Sequence, residues 1–164
     1  MQKFMNQHPD AHARIKGISK YKNISGNVWF YSVYGGSVIL AEVYGLPEMG
    51  LQMIGNFFGF HIHEGSICSG DIEDPLENTG GHFNPLKTEH PDHVGDLVPL
   101  LSVGEKAWSA FYTGRFYPED VVGRTVVIHD MPDDFRTQPA GNSGEKIACG
   151  IIEEHMIGPE PTRR

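Results

Sequence analysis

The sequence predicts an all-β domain, and three features support this fold class. Twenty glycines and eleven prolines are scattered along 164 residues, which leaves little room for long helices. Several short runs are rich in β-branched and aromatic residues and are bounded by glycine or proline, as is typical of strands. Hydrophobic residues make up 39% of the chain and charged residues 21%, a composition that supports a folded core. A chain of this length is expected to form one domain.

Seven runs are predicted to be strands, which indicates a total of seven or eight strands. They are Ala13–Tyr21, Val28–Tyr34, Ser37–Val43, Phe57–His63, Ala107–Phe116, Arg124–His129 and Lys146–Ile152. Gly35 and Gly36 lie between the second and third runs and form a two-residue turn signal typical of an antiparallel hairpin. The segment Cys68–Pro99, called the long loop below, has almost no periodicity. A loop of that length is usually functional or disordered.

The ends and the charge of the chain restrict its location and partners. We expect residues 1–12 and 158–164 to be tails and residues 13–157 to form the domain. The N-terminal residues lack a signal-peptide pattern, which favours a cytoplasmic protein or an exported one whose leader has been removed. No apolar stretch is long enough to span a bilayer. Thirteen basic and 21 acidic residues give a net charge of −8, which argues against nucleic acid or an anionic membrane as the main partner.

Three histidines on predicted strands are candidate metal ligands. His61 and His63 are separated by one residue, so both side chains project from the same face of their strand. They would form a two-nitrogen clamp, or be two polar residues on the solvated face of an edge strand. His129 ends another strand; alone it would be an ordinary histidine, but with the first two it is a candidate third imidazole. Imidazole-only sites suit copper.

A second group of candidate ligands lies in the long loop. His82, His90, His93 and Asp96 fall within fifteen residues of irregular chain. Three imidazoles and a carboxylate match the ligands of tetrahedral zinc, and a closed set would be structural. The alternative is a solvated loop with incidental histidines; we favour the metal because so long a loop needs something to order it. With Asp96 closing the site, no open position remains for a zinc hydrolase.

The two cysteines leave two possibilities open. Cys68 and Cys149 could be independent buried thiols, as is usual in a reducing compartment, or one long-range disulfide. Their spacing alone does not decide between these.

Four segments together resemble the copper, zinc superoxide dismutase family of bacterial type. In chain order they read GFHIHEG, GGHFNP with the following HPDHVGDL, VVIHDMPDD and AGNSGEKIACGII, and they cover residues 59–152. The resemblance implies an eight-stranded antiparallel Greek-key barrel that converts two superoxide anions to dioxygen and hydrogen peroxide. The alternative is a related protein that binds zinc or copper without turnover. Either a monomer or a homodimer is compatible with the sequence.

Carried over residue by residue, the resemblance implies two metal sites that share one imidazole. The implied copper ligands are His61, His63, His82 and His129, and the implied zinc ligands are His82, His90, His93 and Asp96. Asp133 would join ligands of the two metals, with Asp134 as the alternative if the alignment shifts by one residue. Cys68 and Cys149 would form the family's disulfide.

The main departure from the family pattern is at its active-site arginine, which is Lys146 here. An ammonium attracts a small anion but lacks the two parallel donors of a guanidinium. The expected catalytic residues are therefore His82, as a proton donor, and Lys146, as the cation that receives superoxide. Glu145 would weaken the positive potential if it pointed toward the copper. If Lys146 were instead a solvated strand-end lysine, Arg136 would be the candidate guiding cation.

Overall fold

The computed structural model describes residues 8–48 and 56–155, and within these ranges nine strands form one sheet. The strands are β1 (Ala11–Gly17), β2 (Ser25–Val33), β3 (Gly36–Tyr44), β4 (Asn56–Phe58), β5 (Phe60–His63), β6 (Leu100–Val103), β7 (Lys106–Thr113), β8 (Thr125–His129) and β9 (Lys146–Glu154). Two 3₁₀ helices, Ser19–Tyr21 and Glu77–Thr79, and one α-helix, α1 (Pro118–Val121), lie between them. None of these described helices is long and apolar enough to cross a membrane. The predicted all-β fold class is confirmed.

The sheet closes on itself as a barrel. Its strand order is β4-β6-β7-β3-β2-β1-β9-β8-β5, and all neighbouring pairs are antiparallel. The two end strands, β4 and β5, are consecutive in the chain and separated only by Gly59. The chain also passes from β3 to β4 and from β7 to β8 without pairing those strands, as the connections of Greek-key folds do.

The predicted strand Phe57–His63 is two strands, because the pairing partner changes at Gly59. β4 pairs with β6, whereas β5 pairs with β8. At the break the Gly59 N–H donates to the Met131 carbonyl at 2.8 Å, and the Gly59 carbonyl accepts from the His129 N–H at 2.8 Å. A Cβ at this position would lie 2.8 Å from the Cβ of Ser143 and 3.1 Å from that of His129, so the close approach requires glycine. The nine observed strands exceed the seven or eight expected, because this run is divided in two and β6 lies outside the predicted runs.

The β2–β3 hairpin turns one residue earlier than predicted. Val33 pairs with Gly36, so the turn residues are Tyr34 and Gly35 rather than the two glycines. Gly35 has a φ of +81°, in the left-handed region that glycine adopts without strain.

β1 begins inside the segment expected to be an N-terminal tail. Ala11, Ala13 and Ile15 are all fully buried, so the alternation of a half-buried strand starts two residues before the predicted domain boundary. The strand ends at Gly17, where a Cβ would lie 1.9 Å from the Tyr21 carbonyl oxygen of the following 3₁₀ helix. The expected tail at 158–164 lies outside the described residues.

The barrel interior is apolar, and a smaller cluster surrounds a disulfide. Phe30, Phe58 and Phe60 are among the fully buried side chains of the main core. Cys68 and Cys149 are joined across 81 positions of sequence. The disulfide ties the beginning of the long loop to β9, and it settles the question that the cysteine spacing left open.

Cys68→Ser should lower the free energy of unfolding of the metal-free protein by about 2–5 kcal/mol. In the unfolded chain the disulfide closes a loop of 81 residues, so its removal increases the entropy of the unfolded state. Chemical denaturation measures the difference. As a control, a reductant should bring the parent to the stability of the variant and leave the variant unchanged. Equal unfolding free energies for the oxidised parent and the variant would contradict the prediction.

Candidate metal centre

The long loop lies along the edge of β5 that β8 leaves free. Isolated bridges pair His61 with Asp96 and His63 with His82. Ile62, between the two histidines of the strand, hydrogen-bonds the loop through both its N–H and its carbonyl at 2.8 Å. The backbone pairing therefore places side chains of the loop beside those of the strand.

Two groups of buried side chains meet at this edge. The imidazole group consists of His61, His63, His82 and His129, and the mixed group consists of His82, His90, His93 and Asp96. Within each group the ligand atoms all lie within 4.8 Å of one another, and no member is more than 9% exposed. Within the described ranges these are the two groups that could hold a metal ion, and His82 belongs to both.

Three members of the imidazole group have one ring nitrogen engaged by a fixed acceptor. His61 Nε2 donates to Asp133 Oδ2 at 2.8 Å, and His63 Nδ1 donates to the Gly80 carbonyl at 2.8 Å. His129 Nδ1 lies 3.3 Å from the Gly144 carbonyl. A proton held at one nitrogen leaves the lone pair of the other available to a metal. The Nε2 atoms of His63 and His129 are 3.2 Å apart, so their free nitrogens converge on one space.

Four ring nitrogens in these groups are buried without a hydrogen-bond partner in the part of the chain that is described. They are His61 Nδ1, His82 Nε2, His90 Nδ1 and His93 Nδ1. A buried polar atom without a partner costs about 1–3 kcal/mol, so four of them close together require a ligand. An ion on each side of His82 would use all four atoms. The residues present thus fit two metal ions.

The mixed group has the geometry of ligands that point at a common centre. His82 Nδ1 lies 2.7 Å from Asp96 Oδ1. His90 Nδ1 and His93 Nδ1 approach Asp96 Oδ2 to 3.0 and 3.3 Å, yet neither is aligned for a hydrogen bond with it. Three imidazole nitrogens and one carboxylate oxygen are a donor set suited to tetrahedral zinc.

Asp133 connects the two groups. Its Oδ2 accepts from His61 Nε2 at 2.8 Å, and its Oδ1 accepts from His90 Nε2 at 2.9 Å. Burial raises the pKa of Asp133, but hydrogen bonds from His61, the Phe135 N–H and His90 outweigh burial and lower the pKa to about 2. Asp134 is exposed and instead accepts backbone hydrogen bonds within its own loop. The structure thus places Asp133, rather than Asp134, between the groups.

The imidazoles of His61, His63 and His129 are held in the neutral form that metal binding needs. Burial lowers the pKa of His129 to about 3 and the pKa of His63 well below its usual range, and neighbouring histidines add to both effects. Burial also lowers the pKa of His61, against the opposing effect of Asp133. Because a metal competes with protons for these nitrogens, neutral rings are ready to bind it at neutral pH.

Lys146 and Glu145 are both engaged in ion pairs. The Lys146 ammonium lies 3.0 Å from Asp74 Oδ2, and its side chain is only 18% exposed, so it is not a solvated lysine. Glu145 pairs with Lys20 at 3.3 Å on the surface. Arg136 is exposed.

Sequence reasoning missed two residues that support the site. Asp74 lies in the aperiodic part of the long loop, and no motif marks it. Arg115 follows β7 and donates to the backbone carbonyls of His93 and Asp96 at 2.9 and 3.1 Å, so it fixes the loop at the mixed group. Both act through contacts between distant segments, which spacing along the chain does not indicate.

The metal-free protein should lose stability as the pH falls from about 6.5 toward 3. Folded His129 stays neutral until its pKa of about 3, whereas in the unfolded chain it takes up a proton near pH 6.5. Between these values the unfolded state binds more protons, so the free energy of unfolding decreases with falling pH. His129→Gln should therefore show a decline shallower by up to about 1.4 kcal/mol per pH unit in thermal unfolding. Identical slopes for the metal-free parent and variant would contradict this.

Comparison with known proteins places this arrangement in a family. The sequence profile of the family described as copper/zinc superoxide dismutase (SODC) matches residues 24–152. A Deinococcus radiodurans protein named superoxide dismutase (Cu-Zn) is 38% identical in an alignment of 114 residues that covers 58% of this chain and 62% of that protein. Superoxide dismutase (Cu-Zn) 5 of Dictyostelium discoideum is 34% identical in an alignment of 110 residues that covers 57% of this chain and 70% of that one. The match thus covers less than two thirds of the Deinococcus protein.

Solved structures share the fold over most of their length. A Cu/Zn superoxide dismutase from Brucella abortus superimposes with a TM-score of 0.72 and 22% identity, covering 87% of this chain and 99% of that one. A mutant of a SOD-like protein from Bacillus subtilis gives a TM-score of 0.70 and 29% identity, covering 87% and 97%. Because the family profile spans most of the chain and both ligand groups lie within it, the chain belongs to the copper/zinc superoxide dismutase family.

Proposed function

We propose that this protein is a superoxide dismutase, which converts two superoxide anions and two protons to dioxygen and hydrogen peroxide. The observation that carries the proposal is the position of His82, whose two ring nitrogens face two different ligand groups. The Deinococcus relative bears the name of this activity and is 38% identical over the matched residues.

The two groups would hold different metals. The proposed copper ligands are the four members of the imidazole group, and the proposed zinc ligands are the four members of the mixed group. Bound copper would supply the one-electron couple that the reaction needs, and bound zinc would fix the loop and contribute positive charge. The nitrogen-only set suits copper, and the set closed by Asp96 suits a structural zinc.

His82 is the proposed proton carrier. Its Nδ1 is engaged on the side of Asp96 at 2.7 Å, while its Nε2 is buried and without a partner among the described residues. The ring can therefore take up a proton at Nε2 without leaving the mixed group. Delivery of that proton to the reduced oxygen species would supply one of the two protons that each cycle consumes.

The Gly80 carbonyl and Asp133 are proposed to keep the copper ligands in place. The Gly80 carbonyl fixes the ring of His63, and Asp133 fixes His61 on the copper side and His90 on the zinc side. Because a single carboxylate spans both groups, movement of one ligand is transmitted to the other group. The two sites are thus expected to assemble together.

His129→Ala should abolish superoxide consumption and lower the copper content, while zinc stays bound, because it removes a ligand from the imidazole group alone. Metal analysis and a superoxide-consumption assay on the same preparation measure both effects. His12→Ala is the matched control, since His12 lies on β1 outside both groups. Full activity in His129→Ala would contradict the assignment. A copper- and zinc-loaded parent without activity would favour the non-catalytic alternative.

Asp133→Asn should weaken binding of both metals about 10- to 100-fold, because the amide cannot accept from two imidazoles through both of its terminal atoms. Competition with a chelator of known affinity measures the change for each metal. Asp134→Asn removes the same charge one residue away and should leave both affinities near those of the parent. Equal effects of the two substitutions would show that Asp133 acts only through its charge.

A further inference from the structure

The backbone of Lys146, a basic residue, lies beside the imidazole group. It is the first residue of β9 and pairs with His129 across the β8–β9 ladder. Side chains of cross-strand partners lie on the same face of a sheet. Burial is the main cause of the lowered pKa of His129, and the charge of Lys146 adds to it, which agrees with this proximity.

The ammonium of Lys146 is paired with a carboxylate from the long loop. Its Nζ lies 3.0 Å from Asp74 Oδ2 and donates to the Leu76 carbonyl at 3.1 Å. The Lys146 side chain is 18% exposed and that of Asp74 is 45% exposed. The pair is therefore partly shielded from solvent. Shielded charges interact more strongly than charges on an open surface.

Asp74 is held in place by its own turn. Its Oδ1 accepts from the Leu76 N–H at 3.0 Å, and its N–H donates to Asp71 Oδ1 at 2.9 Å. Its carbonyl accepts from the Glu77 N–H at 3.0 Å. Because Oδ1 is engaged by the backbone, Oδ2 is fixed toward Lys146. The ion pair is thus part of the folded loop and does not depend on a freely rotating surface side chain.

We propose that Asp74 sets the affinity of the copper site for small anions by neutralising the charge of Lys146. This inference rests on the proposed function, because it requires copper in the imidazole group. A free ammonium attracts an approaching anion as a single charge, whereas an ammonium with a carboxylate 3.0 Å away acts as a dipole whose attraction falls off faster with distance. Asp74 is a positioning and specificity residue in this scheme, and it does not touch the substrate.

The test is the dissociation constant of azide, a small anion that does not turn over, for the copper- and zinc-loaded protein at low ionic strength. Absorbance of the copper reports binding. Asp74→Asn should tighten azide binding about threefold to tenfold, because it removes the carboxylate charge and leaves that of Lys146. Its amide oxygen can still accept from the Leu76 N–H, so the turn is preserved. The gain should shrink as salt is added.

Further variants define the effect. Lys146→Gln should weaken azide binding, and the double variant Asp74→Asn with Lys146→Gln should return close to the parent. Asp71→Asn is the matched control: it removes a charge from the same turn, but among the described residues Asp71 accepts only from the backbone N–H groups of Glu73 and Asp74, so a change of less than about twofold is expected. If Asp74→Asn loses copper, Asp74→Ser replaces it, with the same tightening expected.

The outcomes separate the inference from the proposed function. Unchanged or weaker azide binding in Asp74→Asn, or tightening equal to that of Asp71→Asn, would overturn the role of Asp74 even if the parent consumes superoxide. Tighter azide binding that is specific to Asp74→Asn would support that role even if the loaded parent consumes no superoxide. In that case only the dismutase assignment fails.

Discussion

The metal centre depends on one backbone interaction, the pairing of the long loop with the free edge of β5. The barrel by itself supplies His61, His63 and His129, while His82 and the rest of the mixed group come from the loop. The pairing at Ile62 brings the two sources together. Three other contacts hold the loop in that position: the Cys68–Cys149 disulfide, the Asp74–Lys146 pair and the hydrogen bonds of Arg115. Each of these links residues that are far apart in the chain, so the site forms only when the whole domain has folded.

Electrostatics explains why this arrangement needs metal ions. Six buried histidines and the carboxylate of Asp96 in one region would be costly to ionise and costly to leave without partners. Burial keeps the imidazole of His129 neutral, which makes it a good ligand, and it leaves nitrogens such as His82 Nε2 without a hydrogen-bond partner among the described residues. Metal binding uses these lone pairs, so the feature that weakens the metal-free fold favours the loaded one. Asp133 is held firmly as an anion, and its position between His61 and His90 ties the two ligand groups together.

The sequence predicts much of this site and less of the fold's detail. Alternation along β5 places His61 and His63 on one face because the side-chain period of a strand is two. That the long loop belongs to the same site follows from the family resemblance. The spacing of the histidines in the loop indicates metal ligands, but it does not indicate which strand the loop lies against. The break at Gly59 could not be predicted from the local sequence pattern, because it arises where the chain changes its pairing partner in the sheet. β6 has only four residues, too few for an alternating signal beside Pro99. Asp74 acts on Lys146 from 72 positions away, and nothing in either local sequence indicates the contact.

In the loaded protein, the imidazole of His82 is expected to lie between two different ions. Anomalous X-ray diffraction from crystals of the copper- and zinc-loaded protein, recorded at the absorption edges of both metals, tests it directly. We expect a copper signal next to His82 Nε2 and a zinc signal about 2.0–2.1 Å from His82 Nδ1. A single ion in the region, or two ions of which His82 contacts only one, would contradict it.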